Sequence, residues 1–244
     1  MKCGVILLCM LIKTLNCGHF PWADNSGPPN LGSIGHQAKD FAHSCELASM
    51  HGFSACNLHA DALTTMAPAD VSRLLAQHGL KPGAFCFPLK LTDEVSEEEF
   101  AASLAAFEKE APLAAEAGYS LCAHHILPYS SPPRGAPQPF HAHFRMTADR
   151  LSRAVPVLER HGMRAGIEPI SAFGLRRTRK HDFVHTIEGV RCLIAAAGAE
   201  QCAGIKLDVF HWWASRSGLD ALVKLDAQEV VYVELNDAVR ARSR

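Results

Sequence analysis

Short apolar runs alternate with longer amphipathic stretches along most of this chain, repeating roughly every thirty to forty residues. The runs at 53–59, 81–89, 119–127, 163–170, 204–209 and 230–235 predict strands, and 30–35 predicts a shorter first strand. Between them, 37–51, 68–78, 96–117, 141–161, 184–198 and 217–224 carry helical periodicity. Ser96 and Glu99 have the S-x-x-E spacing of a capping box, and Pro156 is expected to bend its helix. Gly52, Gly79, Gly118, Gly162 and Gly198 fall where left-handed helix stops are needed.

Near-continuous apolar strands separated by helices predict a parallel sheet covered on both faces. Right-handed crossovers then allow a barrel or a doubly wound sheet. No glycine-rich loop follows the first strand, which argues against the nucleotide-binding form of the sheet. The expected fold is therefore a (β/α)8 barrel. The count reaches seven strands, and the seven residues after Asp237 are too few and too polar for an eighth. The expected organisation is a barrel over 30–244 lacking its eighth strand, preceded by an extension over 1–29. The run 5–12 is an alternative candidate for the seam between the seventh and first strands.

Composition narrows the classes. A formal net charge of −1 argues against a nucleic-acid-binding surface, and a 48% hydrophobic content supports one sizeable core. The 9 cysteines form no CxxC pair, and those beyond the extension read as small core hydrophobes in a reducing compartment. The 1–29 segment has an apolar run too short to span a bilayer. Lys13 interrupts it, and no small-x-small cleavage site follows. The expectation is a cytoplasmic protein without a membrane span, a secreted one being the alternative if 1–29 acts as a signal.

Three strand ends carry the candidate chemistry. Glu168, Asp208 and Glu234 each close an apolar strand, at the end where barrel enzymes place their catalytic groups. One such carboxylate would only cap a helix or meet an arginine; three on successive strands suggest converging oxygen ligands for a divalent metal. His211, three residues after Asp208, is positioned to bind that metal or a substrate oxygen. Trp212 and Trp213 read as packing or as an aromatic wall beside a polyol. Alternation lets only one of His124 and His125 face inward. Arg176, Arg177, Arg179 and Lys180 would hold an anionic group or remain solvated, and His185 reads as supporting or capping.

The segments at 30–35 (NLGSIG), 78–85 (HGLKPGAF), 166–169 (GIEP), 183–189 (FVHTIEG), 207–212 (LDVFHW) and 233–238 (VELNDA) resemble the xylose isomerase-like barrel superfamily, in its sugar phosphate isomerase/epimerase branch. The resemblance spans 30–237. It implies metal ligation by Glu168 and Asp208, with Glu234 standing where the family has a strand-seven histidine. It implies substrate contact by His211, with His125, Trp212 and Arg176 as further substrate-binding candidates. The family's strand-eight glutamate has no counterpart. The implied activity is isomerisation or epimerisation of a small sugar, phosphorylated or not, through an enediolate. Glu168 would serve as base and Mn²⁺, Mg²⁺ or Co²⁺ as cofactor. Alternatives are an inosose dehydratase-like lyase and an inactive fragment or sugar-binding module. A related nuclease is disfavoured by the charge balance. A homo-oligomer that buries the open seam is compatible with this reading.

Overall fold

The computed structural model describes residues 14–15, 38–58, 62–132, 135–177 and 181–235. They fall into two compact units, Met1–Gly83 and Ala84–Arg244. In the first, β1 (Thr14–Leu15) pairs in parallel with β2 (Ala55–Leu58), Thr14 opposite Ala55 and Leu15 opposite Cys56. The strand expected at 30–35 and the run at 5–12 lie outside the described residues. Helix α1 (Phe41–Met50) starts because the Asp40 side chain accepts the otherwise orphaned amide of His43 at 2.8 Å. It buries Phe41, Cys45 and Ala48, one face of the helical period. A short α2 (Ala62–Thr65) precedes α3 (Pro68–Gln77), whose first residue is a proline with no amide to lose.

Strand β3 (Lys81–Cys86) runs from the first unit into the second. In the second unit its last three residues pair with β4 (Leu121–Ile126). Strands β5 (Arg164–Pro169), β6 (Ala203–Asp208) and β7 (Val230–Glu234) follow, each parallel to the one before. Neighbours in the sheet are neighbours in sequence. A doubly wound sheet would reverse its order at a switch point, so this is barrel order.

The crossovers are α4 (Glu97–Glu116), α5 (Phe140–Glu159) and α7 (Ile187–Ala196), with a short α6 (Phe173–Arg177) ahead of α7. After β6 come α8 (Val209–Ala214), α9 (Leu219–Val223) and a single 3₁₀ turn at Ala227–Glu229. The capping box at Ser96 and Glu99 is present, and all five glycine stops adopt positive φ, from +63° at Gly198 to +93° at Gly118. Helix α5 continues through Pro156. Gly204 is required by close approach: a β-carbon there would lie 2.3 Å from the Glu229 carbonyl oxygen. Six described cysteines are free thiols; five are buried or half-buried as expected, and Cys192 is exposed. Among the described residues no helix is long and apolar enough to cross a membrane.

The loops leaving β3 and β4 are pinned by buried polar groups. Arg150 of α5, 2% exposed, donates to the carbonyls of Thr92 at 2.5 Å and Val95 at 3.0 Å. Asp93 accepts from the Ser130 hydroxyl at 2.5 Å and the Ser131 amide at 2.9 Å. The Asp93 amide donates to His143 Nε2 at 3.2 Å, and the His143 ring stacks on Phe183 at 3.8 Å.

That acceptor role requires a neutral His143. Burial, aided by the Arg150 charge and opposed by Asp93, lowers its pKa to about 4. Burial also holds His124 well below the ordinary histidine value. Both are neutral in the native state, whereas the unfolded chain takes up their protons below about pH 6.5. The unfolded state then binds more protons, so stability rises with pH over this window. The contribution is fully present above pH 6.5 and lost as pH falls toward 4. The His143 share is about 2 kcal/mol by pH 4.5. Melting curves between pH 7 and 4.5 should show a steep acid-side loss that His143→Gln makes shallower; an equal slope in both proteins refutes this.

Candidate metal centre

Register places the candidate groups in two adjacent rows. His125 on β4 stands opposite Glu168 on β5. Gly166 opposes Gly204, so two residues further on Lys206 of β6 faces Glu168. Lys206 opposes Tyr232 on β7, and Asp208 opposes Glu234. Because side chains alternate, Lys206 and Asp208 share a face, and the three acidic strand ends meet above a lysine.

Lys206 was not among the residues singled out from sequence, and it organises the site. Its Nζ lies 2.8 Å from Glu168 Oε2 and 2.6 Å from Glu234 Oε2. The lysine side chain is 6% exposed, that of Glu168 2% and that of Glu234 25%. Burial works against the lysine charge, but the two carboxylates outweigh it and raise the ammonium pKa above its ordinary value. Burial likewise pushes the Glu168 carboxyl up to about 8; Lys206 pulls it down, and Glu234 and Asp208 push it further up. Three carboxylates thus share one ammonium at this largely buried site.

Asp208, 4% exposed, is both the last residue of β6 and the N-cap of α8. Its Oδ1 accepts the His211 amide at 3.0 Å. The Asp-x-x-His spacing is thus a capping geometry that turns the His211 ring back toward the capping carboxylate. One ligand-capable atom from each of Glu168, Asp208 and His211 lies within 4.8 Å of the others. The Ser171 amide donates to His211 Nδ1 at 3.1 Å. A neutral His211 therefore carries its proton on Nε2 and is a donor on that side. Burial lowers its pKa, against the raising effect of Asp208. The fully buried Ser171 also donates its hydroxyl to the His185 carbonyl, joining the loop after β5 to the segment before α7.

The remaining candidates are dispersed. His125 faces the Glu168 row; burial and then the Lys206 charge lower its pKa to about 4. His124 packs 5.0 Å from the Phe87 ring instead. Trp212 is half-buried, its indole N–H 3.4 Å from the Gly218 carbonyl, and Trp213 is 66% exposed. Arg176 lies in the last turn of α6, 3.8 Å from Asp182; Arg179 and Lys180 lie outside the described residues. His185 Nδ1 is 2.8 Å from the Phe183 carbonyl, a local contact.

The donor chemistry fits a divalent ion: the buried carboxylates of Glu168 and Asp208 converge at adjacent strand ends, with the His211 ring beside them as a hydrogen-bond donor.

A parallel α/β barrel with acidic strand ends defines the class, and the comparisons give the family. Residues 45–244 match the family described as Xylose isomerase-like TIM barrel, and the chain belongs to it. No curated protein matches the chain. Among solved structures it is similar to a xylose isomerase domain protein from Alicyclobacillus acidocaldarius subsp. acidocaldarius (24% identity, TM-score 0.71, covering 84% of this chain and 71% of that one). It is also similar to a D-psicose 3-epimerase determined in the presence of D-fructose (14%, TM-score 0.65, 85% and 72%). A third is the IolI protein with a bound zinc atom (15%, TM-score 0.66, 84% and 70%). These likenesses establish the fold.

Proposed function

We propose that this chain is a divalent-metal-dependent isomerase or epimerase of a small sugar or keto-polyol, working by proton transfer through an enediolate. The observation that carries the reading is the convergence of the buried strand-end carboxylates Glu168 and Asp208 with the half-buried His211. The similarity to an epimerase determined with D-fructose and to a zinc-binding protein supports the substrate class and the cofactor.

Glu168 and Asp208 would hold the ion, which when bound would polarise the substrate carbonyl. Glu168, held by Lys206 and buried, abstracts the proton beside that carbonyl. Its delivery to the neighbouring carbon completes an isomerisation, and an epimerisation needs a second acid on the opposite face. His211, kept by the Ser171 amide with its proton on Nε2, donates to the oxygen on which charge develops. His125 contacts substrate at the Glu168 row, and Trp212 and Arg176 do so at the rim.

The test is calorimetric titration of Mn²⁺ into wild type, Glu168→Ala and Asp208→Ala. One saturable site in wild type, lost in both variants, is the expected result. A folded wild-type protein with no saturable site would sink the metal-dependent reading.

A further inference from the structure

Lys206 stands between two of the three acidic residues expected to hold a metal, at ion-pair distance from both. It cannot swing away freely: its side chain is 6% exposed and its Nζ lies 5.9 Å from the centre of the Tyr232 ring. A cation fixed this close to Glu234 occupies the space through which that carboxylate would reach an ion shared with Glu168. The convergent set accordingly contains Glu168, Asp208 and His211 and omits Glu234.

We propose that Lys206 is a built-in cation that withdraws Glu234 from the metal's ligand set and sets the ion's affinity below that of an all-carboxylate site. This inference rests on the metal-dependent reading above. Glu168 is shared, one face toward Lys206 and the other toward the ion, while Glu234 balances the lysine. With Glu168 ionised, three carboxylates and one ammonium carry a net charge of −2, which one divalent ion would neutralise. Without the lysine the same pocket carries −3 and binds a cation more tightly.

The experiment is Mn²⁺ calorimetry on the full chain, with circular dichroism and melting curves for each variant. Glu234→Gln should leave Mn²⁺ affinity within about threefold of wild type, because the carboxylate removed is not a ligand. Lys206→Met should tighten Mn²⁺ binding at least about tenfold, and the double variant Lys206→Met/Glu234→Gln should lose that gain as Glu234 becomes available and is then removed. Lys206→Gln keeps hydrogen bonds to the carboxylates and should show the same direction, so a misfolded methionine variant does not remove the test.

Glu234→Gln weakening wild-type binding tenfold or more overturns the inference and leaves the metal reading intact. Unchanged affinity in both folded lysine variants also overturns it. Binding seen only after Lys206 is replaced overturns it too, since Glu168 and Asp208 would then be insufficient. No saturable site in any folded protein overturns the metal reading and this inference together.

Discussion

Glu168→Gln should yield a folded protein in which solvent-deuterium incorporation beside the substrate carbonyl falls at least about a thousandfold. A positioned general base contributes roughly 10² to 10⁴ in rate, and here the same carboxylate is also assigned to the ion, so the upper part of that range is expected. The fold should tolerate the change. Glutamine keeps the size of the side chain and an oxygen for Lys206, and Lys206 retains Glu234 at 2.6 Å. The substitution also removes a carboxyl whose burial raises its pKa to about 8, so the melting temperature of the metal-free variant should not fall. The measurement is proton NMR of a ketohexose panel in D₂O with Mn²⁺ present, alongside a thermal melt. Exchange retained within tenfold of a turning-over wild type would remove Glu168 from the role of base.

The acidic strand ends were legible because each follows an apolar run long enough to cross one layer of sheet, a pattern independent of the rest of the fold. Ser96 with Glu99 and the glycine stops were legible for the same reason: their physics closes within one helical turn. Asp208 and His211 were legible as a pair because a capping interaction spans three residues. Lys206 was not. In sequence it is one polar residue inside Gly204-Ile205-Lys206-Leu207-Asp208, and nothing local distinguishes a lysine that snorkels to solvent from one that faces two carboxylates. Its role is fixed by the register of β5 against β6 and of β6 against β7, a property of three strands at once. The one available signal was parity, since Lys206 lies two residues before Asp208 and must share its face.

The same distinction explains the smaller differences. Thr14–Leu15 forms a strand through pairing with β2, although two residues carry no periodicity to detect. Helices α2, α6 and α8 have four to six residues, too few for a helical stripe to emerge. Helix α7 begins at Ile187 rather than 184 because Thr186, whose hydroxyl accepts the Gly189 amide at 3.1 Å, caps it there. Ser171 acts through its backbone amide, which every residue but proline possesses, so its identity gave no sign of its contact with His211.

Arg150→Ala should cost about 3 kcal/mol of stability and lower the melting temperature by roughly 6 to 12 °C, the largest effect expected away from the metal centre. Arg150, a charged residue of α5, is among the largest fully buried side chains. Its guanidinium donates to the Thr92 and Val95 carbonyls and reaches Glu97 at 3.4 Å, with its Cζ over the Phe100 ring, 4.9 Å from the ring centre. Alanine leaves two carbonyls without their donor and a cavity beside Phe100, and each defect alone is worth about 1 to 3 kcal/mol. Arg150→Lys should recover less than half of the loss, because an ammonium cannot address both carbonyls in the plane of a guanidinium fork. The consequences extend to the loops at the same strand ends as Glu168, since Thr92 and Val95 flank Asp93, which holds Ser130 and Ser131. Urea unfolding of wild type, Arg150→Ala and Arg150→Lys measures this directly. A loss below about 1 kcal/mol in the alanine variant would mean that the loop carbonyls find water or other donors, and that the arginine is not what secures this end of the barrel.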